Sequence, residues 1–397
     1  MAQSVLLRNV RPEGGPVTDL LMLDGIIAQV ETNLVPATPE IEVIEGNGHL
    51  LVPGFVDGHA HIDKTLWGLP WHPHEAGPLL VDKIENERRL RRELRISPRE
   101  QSARVVRQGI SKGTTHIRTH VDVDTETKLA GIEGVLATRA ELRDVVDIQV
   151  VAFPQSGLLV RPGTVELMGT ALGMGVEVVG GLDPAGIDRD PAGHLDAIFG
   201  MADRYGAEVD IHLHDPGELG AFQVELIAER TQALGLKGRV AISHAFCLGQ
   251  VEEPRFATLV ELLVENDIAI MTHGPGNRQF PPILRLREAG VRLFSGNDGI
   301  RDTWGPYGNA DMLERAWILG YRSNFRRDEE VEVALQMVTY GGADVLGARD
   351  YGLGVGCRAD CVVLDGETLT EAVMNRAPRT CVFKGGRIVA KDGRCLV

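Results

Sequence analysis

The chain has 397 residues, 43% of them hydrophobic and 24% charged, with a formal net charge of -15. That length can bury a large core in two or three domains, although an α/β barrel with appendages absorbs it equally well. The acidic balance argues against nucleic acid and anionic membrane surfaces as partners, because phosphate contacts need a basic face, and it favours a small neutral or cationic ligand.

The opening stretch MAQSVLLRNVRPEGG has no long apolar segment, and no run approaches the ~20 apolar residues of a membrane span, so a cytosolic location is expected. Residues 1 to 50 (VLLRNV, LLMLDGIIAQV, EIEVIEG) read as short strands separated by turn signals. From about residue 52 to 345, β-branched runs alternate with helical stretches, which predicts parallel strands joined by crossover helices. Eight runs can be read: 51–61, 114–123, 146–153, 176–183, 208–214, 239–245, 268–273 and 291–298. Eight is the number that closes a (β/α)8 barrel. A doubly wound open sheet is the alternative, but neither GxGxxG nor GxxxxGK[ST] is found. Within the barrel, KIENERRLRRELRISPRE (83–100) predicts a charged helix with a solvated face, or a cover over the site, ending near Ser97. Ser97, Pro98 and Glu100 then restart a helix with a capping box. Gly352, Gly354 and Gly356 read as turn glycines, and residues 357–397 return to short strands. The expected layout is a small β-sandwich from residues 1–51 and 350–397 beside a barrel over 52–349. Cys247, Cys357, Cys361, Cys381 and Cys395 are odd in number, scattered and without CxxC, which predicts reduced thiols.

Polar residues gather at the C-terminal ends of the predicted strands, where barrel enzymes keep their active sites. His59 and His61 close strand one, His212 strand five, His244 strand six and Asp298 strand eight. A single strand histidine is usually a satisfied core residue, but four such groups in strand order suit one zinc or iron ion, which takes imidazole and carboxylate ligands. His212 and His214 are two apart and share a strand face. Both imidazoles are therefore available to one object.

The stretch VPGFVDGHAHIDK, with His212, SHA at 243–245 and SGND at 295–298, resembles the amidohydrolase superfamily, whose fold is a distorted (β/α)8 TIM barrel carrying a sandwich made from both chain ends. RTHVDVD, DIQVVAFPQSG, VGGLDPA, DIHLHDPG, SHAFC and the run from Asp298 through IRDTWGPYGNADM resemble its cytosine deaminase-like branch, including members acting on s-triazines, over essentially the whole chain. The resemblance implies His59, His61, His212 and Asp298 as metal ligands, with His244 touching water or substrate and Asp298 also accepting a proton. Two-metal members bridge their ions through a lysine on strand four. VEVVGGLD has none, so one divalent ion is expected, zinc before iron. Cytosine deaminases carry a glutamate three residues after the strand-five histidine; here that position is Asp215, one methylene shorter. His214 is the alternative proton carrier, its own alternative being to orient a ligand. The resemblance gives substrate contacts to Gln155, Lys64 and Asp183. Each has a plain alternative: a loop bond to backbone, a surface ion pair and a helix N-cap, respectively. Trp304 and Trp67 suit an apolar wall for a flat ring. His116, His120 and Asp122 read as structural, and the GPGNRQFPP loop behind His273 is placed to touch substrate.

The expected activity is metal-dependent removal of an amino or alkylamino group from a small pyrimidine-type or s-triazine-type heterocycle. The rivals are cyclic amide hydrolysis of the hydantoinase or dihydroorotase kind, against which the lysine-free fourth strand speaks, and a non-catalytic ligand-binding barrel. Whether the chain forms a homo-oligomer is left open.

Overall fold

In a computed structural model describing residues 4–397, strands β1 (Val5–Pro12), β2 (Thr18–Leu23), β3 (Ile26–Glu31) and β4 (Glu42–Pro53) come from the N-terminal segment. After them follow eight barrel strands, β5 (Phe55–Ala60), β6 (Thr114–Asp122), β7 (Asp147–Phe153), β8 (Val178–Leu182), β9 (Glu208–His212), β10 (Val240–Ser243), β11 (Ala269–Met271) and β12 (Leu293–Phe294). The C-terminal segment adds β13 (Cys361–Leu364), β14 (Arg379–Lys384), β15 (Arg387–Lys391) and β16 (Arg394–Cys395).

Strand β4 joins the two chain ends. It pairs in parallel with β1 on one side and antiparallel with β13 on the other, so both ends form one eight-stranded sheet. Alternation then gives each strand two faces. Val5, Leu7, Leu20, Met22, Leu51, Val363 and Phe383 meet in one cluster inside the terminal unit. Their neighbours Leu50, Val52, Val362, Leu364 and Val382 point the other way, into the main core with the barrel helices. The sandwich is thereby soldered to the barrel by the pleat of its own strands, and β4 runs through Gly54 into β5.

Strands β5 to β12 form a parallel sheet in chain order. A bridge between Ala60 and Asp298, with the Asp298 N–H donating to the His59 carbonyl at 2.8 Å, draws its two ends together. That approach needs glycine at 296, where a Cβ would stand 2.3 Å from backbone atoms of His59. Helix α1 (Leu80–Leu94) has the solvated face expected of its charge run, with Glu85, Arg89, Arg92 and Glu93 exposed, and a second face that covers the site. Ile84, Glu87 and Leu90 recur at helical spacing and are buried against the barrel mouth. Helix α2 (Pro98–Ser111) begins as expected, with Pro98 in the first turn and the Ser97 hydroxyl accepting from the Glu100 N–H. The five cysteines are unpaired, and Gly352 and Gly356 take positive φ. No described helix is long and apolar enough to cross a membrane.

Candidate active site

The strand ends carry the polar residues inward together. His59 sits in β5 with His61 just past it on the same face, His212 ends β9, His244 follows β10, and Asp298 lies beyond β12. Asp183, His244 and Asp298 have φ of 35°, 74° and 62°, the left-handed region that costs an L residue energy. At each point the chain turns sharply off a strand end, and the side chain remains over the barrel mouth.

The His61 and His212 Nε2 atoms are 3.4 Å apart, and Asp298 Oδ1 lies 3.3 Å from His61 Nε2 and 3.6 Å from His59 Nε2. Ligand atoms around a tetrahedral ion at about 2.1 Å are themselves separated by roughly 3.4 Å. The donor set therefore fits a divalent ion. His59 Nε2, one of these converging atoms, and both ring nitrogens of the adjacent His244 are buried without a hydrogen-bond partner, which is costly unless something else satisfies them. Protonation agrees. Burial and the Lys64 charge bring His61 to about 4, and burial with the neighbouring imidazoles holds His212 and His244 well below the usual imidazole range. Burial alone would raise the Asp298 carboxyl, but His273, His59 and His61 outweigh it and keep it ionised. Neutral imidazoles around a carboxylate are the form that ligates a cation.

Behind this group stands a support that the sequence reading passed over. Ser243 Oγ donates to Asp210 at 2.6 Å and is 3.0 Å from His59 Nδ1, an arrangement that turns the His59 Nε2 lone pair into the site. Its signal was available, since Asp210 is two residues before His212 on β9. His120 packs its ring centroid 4.0 Å from that of His59, with both ring nitrogens buried and without a hydrogen-bond partner, and His116 lies 3.2 Å from Asp147.

His214 lines the cavity, stacked 4.3 Å from His244. Its backbone N–H and Nδ1 bind the two carboxylate oxygens of Asp183 at 2.6 and 2.8 Å. Burial opposes a charge on the ring, but Asp183 outweighs it and raises His214 above the usual imidazole range. Asp183 is thus neither a helix cap nor a cavity-wall group: it stands behind His214, 1% exposed, with both oxygens used. Asp215 points elsewhere, accepting from the Gly186 N–H at 2.9 Å and the Gln223 amide at 2.8 Å.

Lys64, Gln155 and Trp304 line the same cavity, of about 760 Å³. The surface-ion-pair alternative for Lys64 fails, because the residue is 4% exposed and its ammonium donates to Glu87 and Asp122 at 3.2 Å and to the Gln155 side-chain oxygen. Burial opposes that charge, but Asp122 and Glu87 more than compensate and raise its pKa. Trp304 donates its indole N–H to Glu87, and Trp67 lies away from the cavity beneath the Arg301 guanidinium. Glu87, hidden in the charge run, Phe153, whose ring is 4.1 Å from His212, and Arg315 on the helix Met312–Arg322 are site residues that the sequence reading missed. His273 and residues 274–277 line the cavity as expected.

A model of the Amidohydrolase family matches residues 42–396. The chain belongs to that family. This amidohydrolase is 34% identical to the N-isopropylammelide isopropyl amidohydrolase of Pseudomonas sp. (strain ADP), over 98% of its own length and 97% of that protein. The crystal structure of N-isopropylammelide isopropylaminohydrolase from Burkholderia multivorans ATCC 17616 superposes with a TM-score of 0.96, at 45% identity, covering 99% of this chain and 100% of that one. A 5-methylcytosine deaminase from Klebsiella pneumoniae, liganded with 5-fluorocytosine, gives 0.87 at 27% identity, covering 97% of each chain.

Proposed function

We propose that this amidohydrolase removes an alkylamino or amino group from an oxo-substituted pyrimidine or s-triazine ring. One divalent ion, zinc by preference for this donor set, would be held by His59, His61, His212 and Asp298. The observation that carries the reading is the placement of the Asp183-backed imidazole of His214 beside that donor set, on the wall of a cavity that Lys64 and Gln155 also line. Likeness to proteins named for N-isopropylammelide supports the ring class.

When bound, the ion supplies a Lewis acid that lets water ionise near neutral pH. The Asp298 carboxylate accepts the water proton as oxygen adds to the amidine-like ring carbon. The neutral His244 imidazole hydrogen-bonds the oxygen where negative charge develops. Asp298 passes the water proton to the ring nitrogen, and His214, its Nδ1 engaged by Asp183, gives the leaving nitrogen a proton from Nε2; the hydroxyl proton lost to Asp298 as the carbonyl forms restores His214, and the amine departs uncharged. The Lys64 ammonium and the Gln155 amide bind ring oxo or ring N–H groups, and Trp304 lies against the ring face. Five unpaired cysteines suit a reducing compartment, and we place the enzyme in the cytosol.

The test is a panel of cytosine, ammelide, N-alkylammelides, guanine and creatinine-like rings, with ammonia and alkylamine release read separately. Activity should vanish on chelation and return with zinc or ferrous ion. A folded, metal-loaded protein inert to every ring would reject the enzyme reading in favour of a binding protein.

A further inference from the structure

The cavity is larger than one ring requires, and its surplus has a direction. A volume of about 760 Å³ lies in the upper half of the range that encloses drug-sized ligands. The helix Met312–Arg322 forms one wall. At its inner end the buried Arg315 guanidinium donates to the carbonyls of His273 and Asn297 at 2.7 and 2.9 Å, next to Asp298. At its outer end Arg322 donates to the carbonyls of Pro275 and Arg278 at 2.8 and 3.0 Å. Those two clips are seven residues apart, so about 10 Å of helix runs outward from the reacting groups. Between and beside them, on the cavity wall, lie Trp317, Ile318 and Tyr321. The Trp317 and Tyr321 rings stack at 5.4 Å with 8° between their planes, while Arg376 covers Trp317 at 5.0 Å, so the aromatic wall is held in place from both sides. Tyr321 is nonetheless 74% exposed, an apolar face open to solvent at the rim.

The barrel order says which part of a substrate reaches this wall. Gln155 follows the third barrel strand and His273 the seventh, diametrically opposite in a ring of eight. A ring whose oxo groups face Lys64 and Gln155 turns its leaving amine towards the opposite rim, where the His214, His244 and His273 rings follow one another at 4.3 and 5.2 Å and the outward helix begins. We infer that the wall of Trp317, Ile318 and Tyr321 is a subsite for the substituent on the leaving amine, and that the preferred substrates carry a cycloalkyl or arylmethyl group larger than isopropyl there. The inference rests on the proposed activity.

Kinetics on N-methyl-, N-isopropyl-, N-cyclohexyl- and N-benzylammelide test it, with kcat/KM measured for each on the zinc-loaded enzyme. The subsite predicts a rise of at least about tenfold from methyl to cyclohexyl or benzyl, since each buried methylene discriminates by roughly that factor. Ile318→Glu and the surface change Tyr321→Ser should each lower kcat/KM for N-benzylammelide several times more than for N-methylammelide. If the ammelides react but the series is flat or falls with size, the subsite is wrong and the proposed activity stands. If no ammelide reacts, both are wrong. A series that rises but is indifferent to both substitutions also overturns the placement.

Discussion

At the scale of single residues, hydrogen-bond accounting favours His214 over Asp215 as the proposed proton carrier. Asp215 occupies the position where cytosine deaminases keep a glutamate, yet its Oδ2 accepts from both the Gly186 N–H and the Gln223 amide, and the residue is not part of the cavity wall. The neighbouring His214 has one nitrogen committed and one facing the cavity, with Asp183 supporting its charged form. His214→Asn should therefore lower kcat by about 10² to 10⁴, the range for loss of a general acid. Asp215→Ala should mainly destabilise, by about 1 kcal/mol, because the Gly186 N–H loses its acceptor and the buried Gln223 amide keeps only the Leu219 carbonyl. Steady-state kinetics and thermal unfolding on the pair separate the outcomes, and an unimpaired His214→Asn enzyme would remove His214 from the chemistry. That HxH and His-Asp donors would converge was legible from strand order alone, because alternation and the barrel rim dictate it. The orientation of Asp183 and Asp215 was not, since it depends on which backbone N–H each carboxylate reaches after the chain turns at a residue with positive φ.

At the scale of elements, helix α1 illustrates what a charge run hides. Its composition says solvent, and Arg89 and Arg92 do reach it, but every third or fourth residue faces the barrel. The Glu87 carboxylate there accepts from Lys64 and from the Trp304 indole and forms an ion pair with Arg91 at 2.9 Å. One buried group from a covering helix thus fixes two side chains proposed to hold the ring. No local pattern marks Glu87 apart from Glu85 or Glu93; only the phase of the helix against the barrel does, and a window so polar conceals that phase. Glu87→Ala should destabilise by about 3 kcal/mol or more, because the Lys64 ammonium keeps a buried charge with one partner fewer. Glu87→Gln, which keeps shape and an acceptor, should fold and show a KM raised about tenfold with a smaller change in kcat, the signature of lost ring positioning rather than lost chemistry. Equal falls in kcat and kcat/KM with unchanged KM would place Glu87 in the reaction itself.

At the scale of the whole molecule, the site depends on the terminal sheet staying docked, because β4 leads directly into the strand that carries His59. The two-unit arrangement was legible from the change of period at each end of the chain. The join was not, because it is made by residues far apart in sequence. Lys384 of β14 is buried and donates at 2.6 Å to Asp360 and to Asp147 at the start of β7, and His116 of β6 lies 3.2 Å from Asp147. Asp147 is partly exposed, so Asp360, 3% exposed, carries most of the energetic weight. Removing the ammonium by Lys384→Met should cost about 3 kcal/mol near neutral pH. Burial would raise the Asp147 carboxyl, but its His116 hydrogen bond and the Lys384 charge outweigh it and hold it well below the usual carboxylate range. A carboxyl depressed on folding contributes stability that is complete above its unfolded value of about 4 and is lost as pH falls through the folded one. His116 acts with the same sign. Burial, reinforced by Lys384, lowers its pKa, so the wild type loses stability once the unfolded imidazole protonates below about 6.5, and the variant loses less. The difference in unfolding midpoint between wild type and Lys384→Met should therefore be largest above pH 7, begin to shrink below about 6.5 and shrink further below about 4. A thermal-unfolding series from pH 8 to pH 3.5 reads this directly. A difference that is absent at pH 7, or that widens on acidification, would mean that the Lys384 ammonium does not help hold the sheet to the barrel.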